Sequence, residues 1–144
     1  MEQEIIQLIS SFFGAAGFSL IFNVEKKHLL LCSLGGVIAW GTYLSVFFFS
    51  SNVLLASLAG ASISQIYAQF LAIVKKAPAP IFCISALIPL IPGGALYRTM
   101  DAAIAKNWVF FRHWGSITLQ TVLGIALGIS FVSVLLYVFR PSKK

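Results

Sequence analysis

Long apolar stretches separated by short polar breaks are the dominant pattern along this chain. Uncharged runs of 20, 47, 21 and 27 residues follow Glu4, Lys27, Lys76 and Arg112, respectively. A helix needs about 20 residues, at about 1.5 Å each, to cross about 30 Å of hydrocarbon. Three of the runs therefore predict one crossing each. The longest predicts two crossings, with a turn at Ser50-Ser51-Asn52.

The pattern thus predicts an all-α, polytopic membrane helix bundle that forms a single domain over residues 1–144. Five transmembrane segments are expected, at about residues 5–23, 29–49, 52–74, 79–97 and 117–139, with an amphipathic connector over 98–116. Four spans are the alternative, in which the fourth segment does not fully cross. The strands of a membrane β-barrel would instead alternate apolar and polar residues over about ten positions.

The amino-acid composition also indicates that the chain is embedded in membrane lipid. The chain is 59% hydrophobic and only 10% charged, whereas a soluble domain carries about 25% charged residues. The start is acidic and its apolar run exceeds the about 7–15 residues of a signal peptide, so we expect a retained first span. The net charge of +6 fits basic edges beside anionic membrane lipids, and no nucleic-acid partner is expected.

Lysine and arginine positions predict the orientation, because these residues are retained on the cytoplasmic side. They follow the first, third and fifth spans, at Lys26, Lys27, Lys75, Lys76, Arg140, Lys143 and Lys144. Five spans then place the N-terminus outside and the C-terminus in the cytoplasm. Arg98, Lys106 and Arg112 conflict with this orientation, since they would face outside. Either the fourth segment does not fully cross, or these three residues serve another purpose.

Small residues on the predicted helices mark faces on which backbones can approach closely, as membrane helices do when they associate. The candidate packing glycines are Gly35 and Gly36 in span two, Gly60 in span three, and Gly124 and Gly128 in span five. Packing inside one bundle and packing between subunits explain them equally well. Homo- or hetero-oligomers are therefore expected alongside a simple bundle.

Span three also carries Gln65 and Gln69 on one side of the helix. Either they hydrogen-bond a neighbouring helix, through a residue such as Thr42 or Gln120 and for about 0.6 kcal/mol, or they line a pathway. Cys32 and Cys83 lie inside apolar segments and are expected to pack as small apolar groups. His28 and His113 are too far apart in sequence for a predicted metal site, and no cofactor is implied.

The fourth segment is the most distinctive stretch, because it contains Pro89, Pro92, Gly93 and Gly94. Proline lacks an amide hydrogen and crowds the preceding turn, while glycine permits backbone angles that other residues avoid. A helix is therefore predicted to break between Pro89 and Gly94 and to restart from there through Ala105. Such broken helices recur at the substrate sites of secondary transporters.

The restarting helix would present unpaired amide hydrogens and a partial positive charge, both of which attract anions. Tyr97, Arg98 and Asp101 follow within about two turns, and Arg98 could hold a carboxylate with two hydrogen bonds. The alternative is a proline-kinked helix whose Arg98 extends to the membrane surface. An intramembrane enzyme is not expected, because the serines in the spans have no base at similar depth.

These residues resemble the threonine/serine exporter superfamily, in particular its short members similar to the C-terminal half of the long exporters. The resemblance is carried by ALIPLIPGGALYRTMDA at residues 86–102 and by GIALGISFVSVL in span five. It implies a subunit in the bacterial inner membrane that acts with a longer companion subunit. The implied substrates are threonine and serine, or a dicarboxylate such as succinate.

On this reading, Pro89, Pro92, Gly93 and Gly94 shape the substrate site, beside Tyr97 and Asp101. Arg98 meets the substrate carboxylate, and Gln65 and Gln69 line the path. A membrane scaffold or assembly subunit, without a pathway of its own, is the alternative function.

Overall fold

The computed structural model describes residues 2–139, and every regular element in that range is helical. The elements are α1 (Glu2–Ile21), α2 (Lys26–Ser50), α3 (Val53–Lys75), α4 (Ala79–Leu87), a 3₁₀ turn (Ile88–Leu90), α5 (Gly93–Ile104) and α6 (Trp108–Phe139). Helices α1, α2, α3 and α6 are each long and apolar enough to cross a bilayer. The predicted all-α membrane bundle is confirmed, with four crossings, or five when the broken fourth segment is one span.

The broken segment carries the chain from one end of the bundle to the other. Gly124 approaches Leu54 and Gly128 approaches Leu58, so residue numbers rise together along α3 and α6 and the two helices are parallel. Helix α4 begins at the end where α3 finishes, whereas α6 must start at the opposite end. The chain crosses between them through α4 and α5, whose axes are bent by 51°.

The packing glycines lie at contacts between helices of this one chain. An added Cβ at Gly36 would lie 2.6 Å from the Cβ of Ala15 in α1, and one at Gly60 would lie 3.0 Å from the carbonyl oxygen of Ala39 in α2. The same crowding is found at Gly35, Gly124 and Gly128. Of the two interpretations that the sequence left open, the structure thus places these glycines in internal packing.

Side chains in the interior are mostly small, as this close approach requires. Ala39, Ala61 and Ala68 are completely buried, together with Cys32, and Phe82 is the largest of the completely buried side chains. Cys83 lies in the same cluster, so both cysteines pack as predicted. The aliphatic side chains on the outside face lipid or a partner, as in other membrane bundles.

Asparagine side chains cap the starts of two parallel helices, α3 and α6. The Asn52 side chain accepts hydrogen bonds from the amides of Leu54 and Leu55, which ends the predicted turn at residues 50–52. Asn107 does the same for the amide of Phe110, at 3.3 Å. Such a cap satisfies an amide of the first turn and so favours a helix start at that point. Helix α6 therefore begins at Trp108, not near residue 117, and the expected connector over 98–116 is divided between α5, a turn and α6.

The basic residues form two groups, one at each end of the bundle. Because α1 and α3 both finish at one end, Lys26, Lys27, Lys75 and Lys76 lie there, in or beside the two loops. Arg98, Lys106 and Arg112 belong to α5, the following turn and the start of α6, at the opposite end. Arg140, Lys143 and Lys144 lie outside the described residues. The orientation of these ends across the membrane stays a prediction.

Candidate functional site

The break between α4 and α5 has an ordered backbone. Proline at position 92 has no amide hydrogen, and the carbonyl of Ile88 instead accepts from the amide of Ile91, at 3.2 Å. The amide of Gly93 then donates to the carbonyl of Ile91, at 2.8 Å. The helix thus stops, turns and restarts at Gly93, close to where the sequence predicted.

The two glycines do not serve the purpose expected of them. Within residues 2–139 no glycine has a positive φ, so neither Gly93 nor Gly94 is needed for an unusual backbone angle. A Cβ at either position would meet nothing within 4 Å. Their contribution is open space at the start of α5.

This open space borders a cavity of about 250 Å³ at the break. Residues 89–95 form one wall, Trp40 and Tyr43 of α2 form a second, and Ile117 and Thr121 of α6 form a third. None of these lining residues carries a charge. The cavity is smaller than the about 300 Å³ at which pockets for drug-sized ligands begin, so its size fits a small metabolite.

The aromatic wall is a part of the site that the sequence analysis missed. The rings of Trp40 and Tyr43 stack with centroids 4.9 Å apart, and those of Tyr43 and Phe47 stack at 5.9 Å. The Trp40 indole nitrogen donates to Oε1 of Gln7 in α1, at 3.2 Å, which holds the ring in place. Aromatic residues at positions 40, 43 and 47 follow helical spacing, and this was the available signal.

Arg98 and Asp101 lie apart from this cavity and border another, of about 380 Å³. The guanidinium carbon of Arg98 lies 4.4 Å from the centre of the Trp114 ring, a cation–π contact. The hydroxyls of Thr99 and Thr118 are 3.4 Å apart and join α5 to α6 in the same region. Tyr97 is 72% exposed on α5. The predicted site residues therefore fall into two groups along the broken segment.

The two glutamines of α3 are not brought to the break. Gln65 is buried against α6, where its Nε2 donates to Oγ of Ser133, at 2.9 Å. This is an interhelical hydrogen bond, with a different partner from the Thr42 or Gln120 that the sequence suggested. Gln69 lies one turn further along and is half-buried.

A double-mutant cycle is expected to show that Gln65 contributes to packing. Gln65→Leu and Ser133→Ala should each lower the free energy of unfolding, with a coupling energy of about 0.6 kcal/mol between them. The measurement is unfolding in mixed micelles. Gln120→Leu is the control, since Gln120 bonds Ser116 of its own helix. Loss of export at unchanged stability in Gln65→Leu would instead restore its role in a pathway.

Apolar helices that cross a bilayer, with a broken span bordering a small cavity, define a multi-pass membrane protein built like a secondary transporter. The sequence comparison specifies the family. Residues 7–135 match the family described as threonine/serine exporter, ThrE, which is nearly the whole chain. The chain belongs to the threonine/serine exporter family, and the resemblance drawn from the motif at residues 86–102 is confirmed. No solved structure matches the chain.

Proposed function

We propose that this chain is the small subunit of a secondary transporter that exports small carboxylate-bearing metabolites across the bacterial inner membrane. It acts with a longer companion subunit of the same family. The observation that carries the proposal is the uncharged cavity at the start of α5, where a helix restarts inside a broken span.

A carboxylate fits the start of α5. The first-turn amides of a helix have no partner within it, and the helix dipole adds a partial positive charge. The amides of Gly93 and Leu96 already donate to the carbonyls of Ile91 and Pro92, so those of Gly94 and Ala95 remain for a ligand, and the two glycines leave open space beside them. A carboxylate can therefore accept backbone hydrogen bonds there without a buried charge in the protein.

The opposite wall favours an amino acid over a dicarboxylate. The faces of Trp40 and Tyr43 can attract an ammonium group, for about 0.5–2 kcal/mol. Thr121 lies on the third wall, and its hydroxyl, which donates to the carbonyl of Ile117 at 2.8 Å, can accept a hydrogen bond from a substrate hydroxyl. Threonine and serine carry all three groups. Succinate would need a cation beside its second carboxylate. No residue that lines this cavity is charged, so Arg98 or the companion subunit would have to supply that cation.

Movement of α5 supplies a means of alternating access. It packs on α6 through Arg98 and Thr99, and it is joined to α4 by the short break. Large apolar side chains are exposed along α5 and the start of α6, at Met100, Ile104, Trp108, Val109 and Phe110. A companion subunit that covers this pair could tilt α5 about the break and open the cavity to one side and then the other.

The scaffold alternative receives less support. A scaffold subunit would present its glycine faces to partners, but these glycines are already in contact with helices of the same chain. The exposed apolar side chains of the α5–α6 pair, next to the cavity, are instead available to a partner.

Arg98→Ala is expected to lower succinate export about tenfold and threonine and serine export less, because Arg98 lies outside the cavity at the break and only a second carboxylate would use its charge-assisted hydrogen bond, worth about 1.5 kcal/mol or more. The measurement is efflux of threonine, serine and succinate from cells that express the chain with its companion, and each subunit alone. Arg112→Ala is the matched control, being an exposed arginine at the same end. Unchanged efflux and binding in Arg98→Ala would remove Arg98 from the site. Normal export by the companion alone would favour the scaffold.

A further inference from the structure

A second cavity, of about 290 Å³, lies at the end of the bundle where α1 and α3 finish. The α1–α2 loop and the α3–α4 loop enclose it, and Lys27, Lys75, Lys76 and His28 are among its lining residues. We call it the lysine cavity. Helix α4 leads away from it towards the break, so the two cavities lie at different depths and share no residue.

The charges around the lysine cavity favour an anion. Three lysines and one glutamate, Glu25, line it. Helices α2 and α4 both begin here, and within residues 2–139 neither first turn receives a side-chain cap. The amides of His28 and Ile81 are paired with the carbonyls of Glu25 and Pro78, but the two helix dipoles still add to the positive potential of the lysines. The lysines of the two loops and the starts of two helices therefore make this small cavity electropositive.

His28 is an independent sign that something completes this site. The side chain is 5% exposed and packs edge-on against Phe82, with ring centroids 5.4 Å apart. Its Nδ1 is buried and has no hydrogen-bond partner among the described residues. A buried polar atom left without a partner costs about 1–3 kcal/mol and is rare in proteins. His28 lines the lysine cavity, so a ligand or its water that enters there and reaches this nitrogen would supply the missing partner.

We propose that the lysine cavity binds one small oxyanion, a carboxylate or a phosphate group, between Lys27, Lys75 and Lys76 and beside the His28 ring. The group can come from a free metabolite in solution or from the headgroup of an anionic lipid, since the cavity lies at the ends of the spans. This site is separate from the break, and it does not depend on which metabolite is exported.

Glu25 competes with this ligand. Its Oε2 lies 2.5 Å from Nζ of Lys27, and both side chains are about two-thirds exposed. The hydrogen bond and the charge of Lys27 lower the pKa of the Glu25 carboxyl below its ordinary value. The carboxylate therefore stays ionised at neutral pH and occupies the lysine that an oxyanion needs. Removing Glu25 should tighten binding.

Imidazole ¹⁵N NMR tests the proposal directly, because the chain has only two histidines, His28 and His113. The full chain is placed in nanodiscs of phosphatidylcholine and titrated with inorganic phosphate and, separately, with succinate. A third sample contains phosphatidylglycerol and no added anion. The His28 signals are expected to shift, saturably in the titrations, while those of His113 stay in place.

Exposed lysines provide variants that keep the fold. Lys27→Gln and Lys75→Gln should each weaken binding about tenfold, and Glu25→Gln should strengthen it. Lys76→Gly also removes a charge, at a φ of 51° that glycine adopts more easily than lysine. Lys106→Gly is its matched control, since Lys106 has a φ of 53° and lies at the other end of the bundle.

A shift in either titration identifies a free oxyanion, and a shift in the phosphatidylglycerol sample alone identifies a lipid headgroup. Both outcomes support the site. His28 signals that stay in place in all three samples would overturn it. So would an affinity that is the same in Lys76→Gly as in the unmodified chain.

Discussion

Cells that express Gly94→Leu are expected to export no more metabolite than cells that lack this chain. Gly94 borders the cavity at the break, and its missing side chain leaves open space that a leucine would occupy. The same substitution covers the first-turn amides of α5, to which we assign the substrate carboxylate. Folding should not suffer, because leucine is a better helix former than glycine by about 0.5–1 kcal/mol.

Gly17→Leu is the matched control for this experiment. Gly17 also lies in a helix, and a Cβ there would likewise meet nothing within 4 Å, but it does not border the cavity at the break. Gly93→Leu is a second test, since Gly93 borders the same cavity. Export is measured as efflux from cells that contain equal amounts of each variant. Normal export by both cavity variants would show that the break is not the substrate site.

Gly128→Leu is expected to destabilise the bundle by about 3 kcal/mol or more, which is near the upper end for an overpacked interior. A Cβ at Gly128 would lie 2.6 Å from the carbonyl oxygen of Leu58 and 3.0 Å from the Cβ of Ala61. The first of these atoms belongs to the backbone and cannot turn aside. The two helices must therefore separate, and the hydrogen bond from Gln65 to Ser133 would be lost with their contact.

The measurement is the midpoint of unfolding in detergent, with tryptophan fluorescence as the signal that reports unfolding. Gly128→Ala should lose less stability than Gly128→Leu, because alanine adds a smaller side chain. Gly17→Leu should lose none, because Gly17 faces open space whereas Gly128 faces another backbone. If Gly128→Leu melted like the unmodified chain, the contact between α3 and α6 would not hold the bundle together.

The broken segment shows how far the sequence could predict the site. Two prolines close together account for the break, because each removes a hydrogen bond that a continuous helix requires. The same sequence placed Arg98 beside the break, whereas the structure turns it towards Trp114 of α6. Nothing in the local sequence of α5 indicates this partner, since Trp114 comes from the next helix.

Gln65 and the cavity walls illustrate the same limit. A polar residue in an apolar run was correctly expected to find a partner inside the protein, but Ser133 was not among the candidates. Trp40 and Tyr43 were overlooked because aromatic residues at helical spacing are common in membrane helices. Their importance comes from lying opposite the break, which depends on how α2 packs against α4.

The sequence by itself determined that the chain lies in lipid, how many apolar segments it has and how long they are, where the fourth segment breaks, and the family. Each of these depends on position along the chain, and the transfer free energy of an apolar run decides whether it enters lipid. Only the tertiary structure decided which faces meet: glycines against neighbouring helices, aromatic rings against the break, and three lysines beside His28. The reason is that lipid is as apolar as leucine, so hydropathy sets the depth of a residue in the membrane but does not turn a helix face inward. Close packing and a few hydrogen bonds do that.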